Sequence, residues 1–151
     1  MRISARADYA LRAAAELAAA GGGPVKGDAL ATAQSIPHKF LENILADLRN
    51  GGLVASQRGA DGGYRLARDP AEITVADVIR AVDGPLAAVR GERPESVSYA
   101  GPAEPLQRVW IALRHNLRAV VENVTLADLA AGKLPEGVDA LAEDPEAWST
   151  R

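Results

Sequence analysis

The 151-residue chain contains no cysteine. That excludes a disulfide framework, a thiolate zinc site, a cysteine nucleophile and an iron–sulfur cluster held by cysteines alone. Aromatic residues make up only 4% of the chain, and Ala and Leu fill many apolar positions. Such a composition favours helices with cores of small side chains. Histidine occurs twice, as His38 and His115, and neither falls in an HExxH or comparable pattern. Carboxylate pairs such as Glu42/Asp47 and Asp69/Glu72 stand in no surrounding active-site signature, which argues against an enzyme. No stretch reaches the about 18 uninterrupted apolar residues that a membrane span needs. Arg2 and Arg6 before Ala18-Ala19-Ala20 superficially resemble a secretory leader, but Asp8, Arg12 and Glu16 interrupt the run at four-residue spacing. That spacing is an ion-pair ladder on one helix face, and the protein reads as cytoplasmic.

What is present is ordinary globular usage, 48% hydrophobic and 25% charged, with a net charge of −3. The charge is unevenly divided. Residues 1–68 hold nine Lys/Arg against six Asp/Glu, a net of +3, and residues 69–151 hold eight against fourteen, a net of −6. A basic front and an acidic back suit a chain that presents one face to phosphate.

Periodicity organises the front into three helices and a hairpin. Ser4 caps a first helix over residues 5–20, which Gly21-Gly22-Gly23 ends. A short extended piece at Pro24-Val25 leads to a second helix, 28–34. Ser35-Ile36 make a tight turn, and Pro37 suits the first position of a third helix, whose apolar positions are Leu41, Ile44, Leu45 and Leu48. Extended segments 53–57 and 64–68 flank RGADGG, a turn-rich hairpin connection. Thr74 opens another helix with Asp77 three residues on, a variant of the capping box. Residues 86–104 show no periodicity and read as a mobile loop. A long helix, 105–122, then carries Leu106, Val109, Trp110, Leu113, Leu117, Val120 and, just beyond it, Val124. The mixed steps of three and four suit packing against a partner helix. Thr125 caps a short last helix ending at Gly132, and the acidic segment 133–151 reads as a poorly ordered tail. No internal repeat is evident.

Three helices followed by a Gly-tipped hairpin is the order of a winged helix-turn-helix, in which the third helix lays its first turn in the major groove. Its polar face offers His38, Lys39, Glu42, Asn43, Asp47 and, further along, Arg49. Lys39 can contact guanine or phosphate, Asn43 can pair with adenine, and Glu42 can accept from a cytosine amine. Arg58 and Arg65 flank the hairpin tip, where an arginine can enter a narrow minor groove. The tip glycines allow positive φ and close approach to a nucleic-acid backbone.

The opening MRISARADYALRAAAELA, the wing RGADGGYRLAR, the following ITVADVIRAVDGP and the later VTLADL together resemble the IscR-like, or Rrf-two, family of bacterial regulators over roughly residues 1–131. The resemblance implies a mainly α fold with a small β-hairpin wing. It divides the chain into a winged helix-turn-helix domain (1–84), a loop (85–104), a dimerisation helix with a short C-terminal helix (105–132) and the tail. It further implies a homodimer on a partly palindromic operator, read as a repressor. Pro37, Lys39, Phe40, Glu42 and Asn43 match the base-reading start of the third helix, Arg58 and Gly59 match the minor-groove wing, and Arg2 matches a backbone contact. Two departures matter. Relatives often carry a small polar residue where Pro37 stands. Cluster-binding members place three cysteines in the loop, where this chain has VRGERPESVSYAGPAEP, so no iron–sulfur cluster is expected. The loop is left either as a passive connector or as part of a small-molecule effector site near Trp110 and Tyr99. The rival to a DNA regulator is a winged-helix protein-interaction module. The discriminating feature is whether Lys39, Arg49, Arg58 and Arg65 share one connected basic surface.

Overall fold

Ser4 opens the first helix, its hydroxyl accepting the Ala7 N–H at 2.9 Å, and α1 runs Ala5–Ala19 in the computed structural model, which describes residues 1–151. Helices α2 (Gly27–Gln34) and α3 (His38–Asn50) follow, joined by a turn in which Ser35 takes the left-handed conformation, φ 53°. Pro37 is the residue before α3 rather than its first residue. The buried faces of these helices meet in one core. Ala10, Ala13, Ala14 and Leu17 of α1 pack with Leu30, Leu41, Ile44, Leu45 and Leu48, closed by Ile73, Val78 and Leu126. Alanines along α1 let its neighbours approach closely, which is how a chain poor in aromatics still fills its interior.

Strands β1 (Val54–Gln57) and β2 (Gly63–Leu66) pair antiparallel, Val54 opposite Leu66 and Gln57 opposite Gly63. Val25 and Tyr64 exchange two backbone hydrogen bonds of 2.8 Å, so the extended piece before α2 fastens the hairpin to the head. Gly62 and Gly63 are required there by the protein's own backbone. A Cβ on Gly62 would lie 2.0 Å from the Gln57 carbonyl oxygen, and one on Gly63, at φ 148°, 2.5 Å from that of Val25.

Thr74 and Asp77 form a full capping box at the start of α4 (Val75–Asp83), with bonds of 3.1 and 3.0 Å. A second box, Thr125 with Asp128, opens α6 (Leu126–Ala131), which lies beyond α5 (Leu106–Val121). The two boxes lie side by side. The Val75 N–H donates to the Val124 carbonyl and the Leu126 N–H to the Ile73 carbonyl, each at 2.9 Å. The segments TVAD and TLAD therefore form a local matching pair, even though the chain has no repeat at the scale of whole elements.

Besides the position of Pro37, the structure departs from the sequence reading in four places. The segment read as a mobile loop holds two 3₁₀ turns, Pro94–Ser96 and Gly101–Ala103, with Leu86, Pro94 and Val97 buried. Its order comes from single anchors, not from a periodic face. The segment read as a disordered tail contains α7 (Glu136–Glu143) and a 3₁₀ turn, Pro145–Trp148. These hold one another locally: Trp148 Nε1 donates to the Ala142 carbonyl at 2.6 Å, with the Trp148 ring left 75% exposed. The ladder along α1 is a single bridge, Arg12 to Asp8 at 3.0 Å. Glu16 instead accepts from Gln34 Nε2 at 2.6 Å, and Arg12 donates to the Gln34 carbonyl at 2.7 Å, tying α1 to α2. Val124, assigned to the dimer stripe, is buried in its own head because its backbone joins the pairing beside α4.

Candidate nucleic-acid interface

The amphipathic pattern of α3 buries Leu41, Ile44, Leu45 and Leu48 and leaves His38, Lys39, Glu42, Asn43 and Arg49 exposed. The N-terminus of α2, the start of α3 and β2 border one cleft of about 240 Å³, lined by Lys26, Asp28, His38, Glu42 and Tyr64 among others. Three contacts hold these pieces in register. Lys26 Nζ donates to the Gly59 carbonyl at 3.1 Å, Arg49 Nη1 to Ser56 Oγ at 3.4 Å, and His38 Nδ1 lies 3.2 Å from Asp28. The hairpin tip and both ends of α3 are thereby fixed relative to one another.

Charge is distributed unequally between this face and the rest of the molecule. Lys26, Lys39, Arg49, Arg58, Arg65 and Arg68 are all exposed, and none forms an ion pair. Of the eleven other Lys and Arg residues, Arg6, Arg12, Arg80, Arg114, Arg118 and Arg151 each hold a carboxylate, and Arg2, Arg90, Arg93, Arg108 and Lys133 do not. The N-termini of α2 and α3 also lack a side-chain cap, as do those of α5 and α7, whereas Ser4, Thr74 and Thr125 cap α1, α4 and α6. Open N–H groups at the positive end of a helix dipole attract phosphate.

Several residues read as facing DNA have additional or different duties. Asp47 is ion-paired to Arg6 of α1, so it belongs to the helix packing and not to the reading face. Phe40 meets the Tyr9 ring edge-on, centroids 5.7 Å apart, and Arg12 stacks 4.8 Å over the other partner, Tyr9. Phe40 therefore also sets the seat of α3 on α1. Arg2 lines a different feature, a groove of about 640 Å³ with Ile3, Ile79, Leu86, Trp110 and Leu117, to which neither α3 nor the hairpin contributes. Sequence periodicity found the α5 side of that groove but not its floor, because Ile3, Leu86 and Val89 come from aperiodic segments. Pro37 and Gly59 are exposed, Gly59 with φ 101° at the hairpin tip.

Residues 3–132 match the sequence profile of the Rrf2 family, described as an iron-dependent transcriptional regulator. The chain belongs to the Rrf2 family. Among Rrf2 relatives, an HTH-type transcriptional regulator of Mycobacterium tuberculosis is 54% identical over 153 residues, spanning 100% of this chain and 95% of the relative. The HTH-type regulator CymR of Bacillus subtilis is 38% identical over 133 residues, 87% and 91% of the two chains. The solved structure of CymR, the global cysteine regulator of B. subtilis, has a TM-score of 0.73 at 36% identity and covers 88% of this chain and 98% of its own. That of T. potens IscR has a TM-score of 0.68 at 31% identity, with 100% and 93% covered. These relatives are regulators and not enzymes, and this Rrf2 protein is likewise a DNA-binding transcriptional regulator. No helix is long and apolar enough to cross a membrane.

The family description invokes iron, which tests the donor set of this Rrf2 chain. There is no cysteine, residues 86–104 offer only Glu92, Glu95 and Glu104, and no three His, Asp or Glu side chains gather anywhere. The residues present do not fit an iron–sulfur cluster, which needs thiolates with at most partial replacement by histidine.

Proposed function

We propose that the protein is a cluster-independent repressor that binds a partly palindromic operator as a two-fold homodimer in the cytoplasm. In this reading the first turn of α3, with Lys39, Glu42 and Asn43, reads bases in the major groove. Arg58 and Arg65 carry the hairpin along the minor groove and its phosphates, and Arg49 adds a backbone contact. The observation that carries the reading is the set of six cations without ion pairs, Lys26 just before α2, Lys39 and Arg49 on α3, Arg58 and Arg65 on the hairpin and Arg68 at its exit. A protein-docking face would have no need to leave all of them without carboxylates.

Dimerisation is supported by α5. No residue of this 16-residue helix is buried, although it carries Leu106, Val109, Trp110, Ile111, Leu113 and Leu117. Trp110, Leu113, Leu117 and Val121 line the apolar groove, and Val109 stands 51% exposed. A second copy covering this surface would make a two-fold dimer, the assembly that matches a palindromic site with half-sites about one helical turn apart.

Selection of bound duplexes from a random pool at low salt tests the proposal. A recovered dyad with half-sites at that spacing is expected. Recovery of a single unrepeated half-site would remove the dimer, and recovery of nothing would remove sequence-specific recognition.

A further inference from the structure

Where α4 ends and α5 passes over it, Arg80, Arg93, Arg114 and Arg118 line a cleft of about 310 Å³ with Gly84, Pro85 and Leu86. The cleft adjoins the apolar groove through Pro85 and Leu86 but has the opposite chemistry, with Leu86 its one buried residue. Four guanidinium groups converge from three separate elements, and only two carboxylates attend them. Glu122 accepts from Arg80 at 2.5 Å and lies 3.8 Å from Arg118, and Glu95 accepts from Arg114 at 2.5 Å. Arg93 makes no ion pair, although its charge is felt by the nearby Glu95 carboxylate. Arg114 is the most enclosed, its side chain 15% exposed. The site is also held in shape. Gln107 Nε2 donates to the Pro94 and Glu95 carbonyls at 3.4 and 3.3 Å, which pins the 3₁₀ turn beside Arg93 onto α5.

Like charges brought together repel, and arginine forks are shaped to take carboxylate or phosphate oxygens two at a time. A cleft of this size suits a small ligand rather than a macromolecular surface. We propose that the cleft binds a small anion bearing two or more carboxylate or phosphate groups, and that this anion is the effector. It would bridge Arg80 of the head, Arg93 of the connecting segment, and Arg114 and Arg118 of α5. Occupancy would thus fix the angle at which α5 leaves the head, and in a dimer that angle sets the distance between the two reading helices. Binding of the anion stands by itself. Its effect on DNA rests on the operator reading above.

Calorimetric titration of the full chain with pyrophosphate, succinate and citrate, at ionic strength held constant with chloride, tests the site. Saturable binding of one anion per chain is expected, weakened at least tenfold by Arg93→Ala and unchanged by Arg108→Ala, an exposed residue of α5 outside the cleft. Binding of pyrophosphate alone assigns a phosphorylated ligand, and binding of succinate or citrate alone assigns an organic acid. Either result supports the site. Absence of saturable binding by all three, or binding indifferent to Arg93→Ala, overturns it. The effector role is read as a shift of at least threefold in affinity for the selected operator with the bound anion. The shift must be missing in Arg93→Ala, which controls for general salt effects on DNA binding. An anion that binds without such a shift overturns the effector role and leaves the operator reading intact.

Discussion

Helices α1 and α5 are nearly equal in length, 15 and 16 residues, and both carry an apolar stripe. Five residues of α1 are buried and none of α5. The stripe of α1 is built mainly of alanine, which brings helix axes close and lets one chain close its own core. The stripe of α5 is built of Leu, Val, Ile and Trp, and the chain supplies too little surface to cover them. Burying a large aliphatic side chain is worth about 1.5–3 kcal/mol, so a second surface laid over several of these residues would gain stability by it. A weaker contrast holds for charge: Arg80, Arg114 and Arg118 around α5 hold carboxylates while Arg93 and Arg108 do not, and none of the lysines and arginines of α3 and the hairpin does.

The sharpest test of this contrast is a pair of substitutions. Ile44→Ala empties a fully buried site and should cost about 2–5 kcal/mol in denaturant unfolding. Leu113→Asp should leave the helical circular dichroism of the head unchanged and halve the mass seen by light scattering. If Leu113→Asp unfolds the head, α5 belongs to the core and the contrast fails. A smaller effect is expected on the reading face. Lys39→Ala or Asn43→Ala should lose about 1–3 kcal/mol on the preferred operator, with relaxed specificity at one symmetric position and no change of mass. Arg58→Ala should lower the salt slope by about one unit. Smaller again are the caps. Thr74→Ala and Thr125→Ala should each cost about 1 kcal/mol. Because the two boxes pair with one another, their double mutant should deviate from additivity by about 0.5 kcal/mol or more. The least effect concerns Glu95, whose carboxyl is held below the ordinary carboxylate value by a backbone N–H and by Arg114. A depressed carboxylate contributes stability above its unfolded pKa and loses it as pH falls through the folded one. Neutral-range stability should therefore not change on this account, and carbon NMR should show Glu95 titrating closer to the ordinary value in Arg114→Ala.

Local signals were readable in advance because their physics is local. The Ser4 cap, the Thr74 box, the α3 stripe and the hairpin need only neighbours within a few residues, and each stands as the chain order indicates. What stayed hidden depends on meetings across the chain. Asp47 looks like a surface acid until Arg6, 41 positions earlier, is seen beside it. The four arginines of the anion cleft lie at 80, 93, 114 and 118, with no spacing that betrays them. Segment 86–104 looked unstructured because 3₁₀ turns leave no periodic trace. Val124 continued the arithmetic of α5, yet the strand-like pairing beside α4 had already claimed it.

That pairing also has a topological consequence. The chain leaves the head at the end of α4 and is stitched back in at Val124 and Leu126, against the very residues that begin α4. Everything between is an excursion fastened at both feet, like the handle of a cup. Such a handle can tilt, but it cannot slide away or detach without breaking backbone bonds in the head. A twist applied to α5 therefore arrives at two adjacent points, the first turns of α4 and α6. Those turns sit on Ile73 and Leu126, which share one core with the inner face of α3.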